Sequence, residues 1–171
     1  MTFSEYQVEA RKTAIYPEIK STVVYPILGL VGEIGELTEF YLRTPVGGDP
    51  TRDETLIKEM GDVCWYVSAI ADELGLEKVS PEDIDLDFVI QLSLSSANIA
   101  ERVKKIFRDK DGVFSDEDKA HIKELLENIL GAIEEMGVGL NVDMGDILGV
   151  NIAKLASRKE RGVIKGSGDE R

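Results

Sequence analysis

Apolar positions recur at intervals of three and four along most of the chain, and no run alternates apolar and polar residues as a half-buried strand would. The pattern predicts helix after helix. A first helix starts near Phe3 and fades before Pro17. A second covers about residues 26 to 43, with Leu30, Ile34, Leu37 and Tyr41 on one face, and ends in the turn-rich breaker TPVGGDPTRD. A third covers about 53 to 74, with Leu56, Met60, Val63, Val67, Ile70 and Leu74 inward, and Gly75 stops it. Ser80-Pro81-Glu82-Asp83 reads as a helix cap with proline in the first turn, leading into a fourth helix over about 86 to 107. After the loop DKDGVF, Ser115 caps a fifth helix that runs to about Met136, and a last helix covers about 143 to 161. The expectation is one all-α domain over residues 1 to 171, a helical bundle with N- and C-terminal helices added to a four-helix core.

Residues 28 to 43 can be laid on 92 to 107, and 56 to 67 on 121 to 132, which matches Ile57-Lys58-Glu59 to Ile122-Lys123-Glu124. Segments 26 to 76 and 90 to 140 would then be two copies of one αα-hairpin. Chance resemblance between two amphipathic helix pairs explains the same alignment. The chemistry differs between the halves, because Glu33 and Glu36 fall opposite Ala97 and Ala100.

Composition narrows the partners. Of 171 residues, 43% are hydrophobic and 31% charged, the balance of a folded globular chain rather than a disordered one. Lys and Arg total 20 against 33 Asp and Glu, a formal net charge of −13. Such a surface repels nucleic-acid polymers and anionic membranes, and a phosphate-bearing ligand would need local cations to overcome the field. One Cys, Cys64, and one His, His121, exclude an intramolecular disulfide and a Cys/His zinc cage. No stretch approaches the ~18 apolar residues of a membrane span, and the charged N-terminus is no signal peptide, so a cytoplasmic protein is expected.

Two acidic pairs carry the candidate chemistry: Glu33-x-x-Glu36 on the second helix and Glu59-x-x-Asp62 on the third. Residues three apart are neighbours on one helix face. Glu33 and Glu36 border the apolar stripe beside Leu30, Leu37 and Phe40; Glu59 and Asp62 do so beside Leu56, Val63 and Tyr66. Two antiparallel helices packed by these stripes bring four carboxylates together. That arrangement is costly unless a cation lies between them, and an oxygen-only donor set selects Mg²⁺, or Mn²⁺ in its place. The alternative is solvated helix surface. Gly32, Gly35 and Gly61 flank the acids, and glycine inside a helix costs roughly 1 kcal/mol, so they signal close backbone approach or room for a ligand.

The last helix ends in the densest cationic run of the chain. Asn151, Lys154 and Arg158 share a face, and Lys159, Arg161 and Lys165 follow. A match to the helix C-terminal dipole explains cations there. The other reading is a nucleotide grip, in which Asn reads a base or sugar and Lys and Arg hold phosphates. Gly166-Ser167-Gly168 could wrap an anion with backbone N–H groups, or simply fray.

These segments together, GLVGEIGEL at 29 to 37, KEMGDVCWYV at 58 to 67 and NIAKLASRKERG with GSGD at 151 to 169, resemble the MazG-like nucleoside triphosphate pyrophosphohydrolases of the all-α NTP pyrophosphatase superfamily, related to the dimeric dUTPases. The resemblance covers about 24 to 76 and 146 to 169. It implies Mg²⁺-dependent hydrolysis of an NTP or dNTP to NMP and pyrophosphate by a homodimer or higher homo-oligomer. Glu33, Glu36, Glu59 and Asp62 would be the metal ligands, with Glu33 and Glu36 catalytic. Asn151, Lys154, Arg158, Arg161 and Lys165 would contact substrate. The chain departs from the pattern at Gly32, where many members carry a further Glu that is a candidate general base; Glu39 is a candidate substitute. Residues 77 to 145 also exceed the compact members, an excess that a silent second hairpin would explain.

Other readings compete. Trp65 and Tyr66 either stack on a base or belong to the core. Asp118 and His121 form a lone D-x-x-H, and one His cannot supply a di-iron carboxylate site. The remaining functional class is a non-catalytic acidic helical module that binds protein partners.

Overall fold

The computed structural model describes residues 1–43 and 50–162. Six helices follow in order: α1 (Phe3–Arg11), α2 (Val24–Arg43), α3 (Pro50–Leu74), α4 (Phe88–Asp109), α5 (Asp116–Gly139) and α6 (Met144–Glu160). The protein is all-α, and the described residues hold no strand beyond an isolated bridge between Ile19 and Ser21. Residues 44 to 49 of the expected breaker lie outside the described residues.

Local chemistry sets most helix ends. Thr2 and Glu5 form a capping box on α1, Ser115 and Asp118 on α5, and Asp143 and Asp146 on α6. Gly75, at φ +64°, ends α3, and the Leu76 N–H donates to the Ala71 carbonyl at 2.8 Å, a Schellman-type closure.

The expected cap at Ser80–Asp83 is not one. Residues 76 to 87 form no helix, and Asp87 caps α4 by accepting from the N–H groups of Val89 and Ile90. The backbone donors of the 80–82 segment are used against α5 instead. Ser80 N–H donates to Glu127 Oε1 and Glu82 N–H to the Glu127 carbonyl, both at 3.4 Å. Gly131 makes this crossing feasible, because a Cβ there would lie 1.9 Å from the Glu82 carbonyl oxygen.

Helices α2 and α3 pair as one hairpin and α4 and α5 as another; the hairpins meet through α2 on α4 and α3 on α5. Helices α1 and α6 lie against α3. All six inward positions expected on α3 are buried, together with Leu30, Ile34 and Leu37 of α2, while Tyr41 is half-buried. Cys64 is buried in this core, and burial pushes its thiol up to about 12. Among the described residues no helix is long and apolar enough to cross a membrane. Glu124, which the internal alignment places on Glu59, is on the surface beside His121.

Candidate metal centre

The α2–α3 hairpin is antiparallel, so a step of four residues along one helix is matched by four residues back along the other. Gly29 meets Tyr66 so closely that a Cβ on Gly29 would lie 2.1 Å from the tyrosine ring. One helical turn further along α2 and one turn back along α3 stand Glu33 and Asp62. Carboxylate oxygens of Glu33, Glu59 and Asp62 lie within 4.8 Å of one another, all three residues half-buried. Three of the four expected acids therefore converge. Glu36 is exposed and outside that set, though near enough for its charge to act on Glu33.

Burial pushes the Glu33 carboxyl up to about 7, and the charges of Asp62, Glu36 and Glu59 push the same way, with Lys154 opposing them. At Glu33 the lowering by Lys154 is outweighed by burial and the three neighbouring acids. An all-oxygen donor set of three converging carboxylates fits a hard divalent cation such as Mg²⁺ or Mn²⁺.

Helix α6 supplies the other wall. Asn151 and Arg158 are buried and Lys154 is nearly so at its side chain: the three share a face, as their spacing predicts, and that face is turned into the bundle. Asn151 Nδ2 donates to Asp62 Oδ1 at 2.9 Å, and Lys154 Nζ makes a charged hydrogen bond to Asp62 Oδ2. The approach depends on Gly61, where a Cβ would lie 2.8 Å from Asn151 Cβ. Of the three glycines beside the acids, Gly61 marks close approach; Gly32 and Gly35 are exposed with nothing within 4 Å of a Cβ, and mark open space. Arg161 is exposed at the end of α6, its Nε donating to the Ser157 carbonyl at 3.3 Å. Lys165 and the GSGD tail lie outside the described residues. Glu39 faces solvent in an ion pair with Arg43 at 2.7 Å and does not join the acids.

The spacing of residues along single helices does not reveal Tyr6. Its hydroxyl, fully buried, donates to Asn151 Oδ1 at 2.7 Å. Only the presence of tyrosine rather than phenylalanine on the inward face of α1 hints at such a partner. Trp65 donates from its indole N–H to Thr13 Oγ1 at 3.0 Å and stacks edge-on with Tyr16 and Tyr66, so it belongs to the packing of the 12–23 segment on α3. A cavity lined by Ser21, Val23, Glu73, Leu74, Phe114 and Lys119 lies near the far end of α3, about three turns from Asp62, and is a separate feature.

The chain matches the Gene 37 protein of Mycobacterium phage L5 at 41% identity over 76 residues, 44% of this chain and 67% of the phage protein. The chain belongs to that protein's family. No family model and no solved structure matches it. The name Gene 37 protein states no activity, so the chemistry of this member of the Gene 37 family is read from its side chains.

Proposed function

We propose that this protein is a Mg²⁺-dependent nucleoside triphosphate pyrophosphohydrolase of the MazG-like kind, clearing an NTP or dNTP from the nucleotide pool as NMP and pyrophosphate. The observation that carries the reading is the convergence of Glu33, Glu59 and Asp62 within 4.8 Å against an α6 face bearing Asn151 and Lys154. An acidic cluster alone fits a bare cation site. A cluster with an ammonium held against it suits a ligand that brings phosphates, while Asn151, fully buried and bonded at both ends of its amide, serves the acids rather than a base or sugar.

The three carboxylates would hold the ion. When bound, Mg²⁺ supplies positive charge against the phosphates and lowers the pKa of a water. Lys154 binds phosphate oxygens as a point charge, and Arg158, one turn further along the same face, adds a planar fork. A Glu33 Oε atom not taken up by the ion would accept a proton from water, a role that Gly32 leaves vacant and that solvent-facing Glu39 does not fill. The open flank at Gly32 and Gly35 leaves the substrate a way in. Exposed apolar side chains on α2 and α4 (Leu28, Val31, Leu42, Ile90 and Leu94) are available for the homodimer or higher homo-oligomer.

A panel of NTPs and dNTPs incubated with the protein and Mg²⁺, with products separated by chromatography, tests the reaction. The expected products are NMP and pyrophosphate. NDP with orthophosphate as primary products would contradict it, and no turnover together with no response to Mg²⁺ would leave an acidic interaction module.

A further inference from the structure

Asp62 is held on both oxygens by α6. Lys154 takes Oδ2, and the Asn151 amide takes Oδ1 at 2.9 Å. An asparagine amide can point either way, and its direction decides whether it donates or accepts. Here the direction is forced. The Asp62 carboxylate, paired with Lys154 on Oδ2, accepts at Oδ1, so Asn151 turns its Nδ2 toward it, which turns Asn151 Oδ1 the other way. Oδ1 then needs a donor away from bulk solvent, since Asn151 is fully buried. The Tyr6 hydroxyl is that donor, at 2.7 Å, and it too is fully buried. The relay Tyr6 to Asn151 to Asp62 can run in this direction only.

Two further contacts keep its ends in place. Helix α1 is tied to α3 by Gln7 Nε2 on Asp72 Oδ1 and by Arg11 on Glu73, both at 2.6 Å, which fixes where Tyr6 enters. Gly61 leaves the space that Asn151 occupies. The Tyr6 ring packs beside that of Phe3, a contact that a phenyl ring would make as well, so the buried hydroxyl adds nothing to packing. Its specific consequence is the orientation of a carboxylate some 56 residues along the chain.

We infer that Tyr6 is a positioning residue for the acidic site: acting through Asn151, it sets the orientation of the Asp62 carboxylate and thereby the affinity of Glu33, Glu59 and Asp62 for a divalent cation. This rests on those acids holding such a cation. Outer partners of metal ligands typically change affinity about 10- to 100-fold when removed.

The test is Mn²⁺ binding by calorimetry to the 171-residue chain and to Tyr6→Phe, Asn151→Leu and the double variant, with melting curves in EDTA alongside. Tyr6→Phe should weaken the Mn²⁺ Kd about tenfold. Asn151→Leu should weaken it at least as much, and the double variant no more than Asn151→Leu, because Tyr6 acts only through Asn151. Replacing both polar partners leaves no orphaned hydroxyl or amide, so the double variant reports even if a single one fails to fold. A merely structural tyrosine would lower the EDTA melting temperature with Kd unchanged. A Kd within twofold of the parent in Tyr6→Phe or in the double variant, or losses that multiply, overturns the relay while leaving the cation site intact. A parent that binds no Mn²⁺ overturns the cation site and the relay with it.

Discussion

Glu33 sits at the edge of an apolar stripe, where packing of α2 on α3 half-buries a carboxyl among other carboxylates, and the result is a group pushed from 4.5 up to about 7. A carboxyl raised in this way keeps its proton longer in the folded protein than in the unfolded chain. Its contribution therefore favours the fold below about pH 4.5 and turns against it as pH rises through about 7. Glu33→Gln should remove that decline, making the metal-free variant more stable than the parent at pH 8 by on the order of 1–2 kcal/mol after discounting for partial exposure. Urea midpoints in EDTA against pH measure it; a decline as steep as the parent's would place the strain on another carboxylate. Glu33, Glu59 and Asp62 were legible because spacing three at a stripe edge fixes where a helical carboxylate emerges. Glu36 was not, for a reason outside its own helix. Helix α3 is flanked by both α2 and α6, which keeps Glu59 and Asp62 together, whereas α2 is open at Gly32 and Gly35 and lets Glu36 turn to solvent. Tyr6 was illegible because its partner lies 145 residues away on another helix.

Helix–helix contacts turn on single glycines. The expected effect of alanine at Gly61 is opposite to its effect at Gly32. At Gly61 a methyl group would press on Asn151 Cβ from 2.8 Å, forcing α6 outward; overpacking of this kind costs about 1–3 kcal/mol and should also weaken Mg²⁺-induced stabilisation. At Gly32 nothing lies within 4 Å, so alanine should raise stability by roughly 0.5–1 kcal/mol through helix propensity. Chemical denaturation of the two variants checks both, and a stabilised Gly61→Ala would mean that α6 does not close on α3 at that point. Helix existence, and most ends, followed from periodicity and capping residues. The Ser80–Asp83 segment misled because a cap signature says nothing of competition. Its N–H groups find Glu127 on α5, and Asp87 caps α4 in its place.

At the scale of the whole molecule the formal charge of −13 and the site have to be reconciled, since a protein that repels phosphates is proposed to bind a triphosphate. The reconciliation lies in Lys154 and Arg158, held inward on α6, and in a cation held by the acids. That Asn151 and Lys154 would meet the second acidic pair was legible only as a shared helix face; their seat on Asp62 needed the fold of α6 across α3. The most direct measurement is a set of melting curves of the parent and Glu59→Gln, each in EDTA and in Mg²⁺. Mg²⁺ should stabilise the parent, by about 2.7 kcal/mol at a hundred times Kd. Glu59→Gln keeps the side-chain shape and removes one charge from the cluster, so it should melt in EDTA at or above the parental temperature, lose most of the Mg²⁺-induced shift and turn over no nucleotide. A variant that keeps the full Mg²⁺ shift and hydrolyses nucleotide at near-parental rate would contradict the assignment of Glu33, Glu59 and Asp62 as a metal centre.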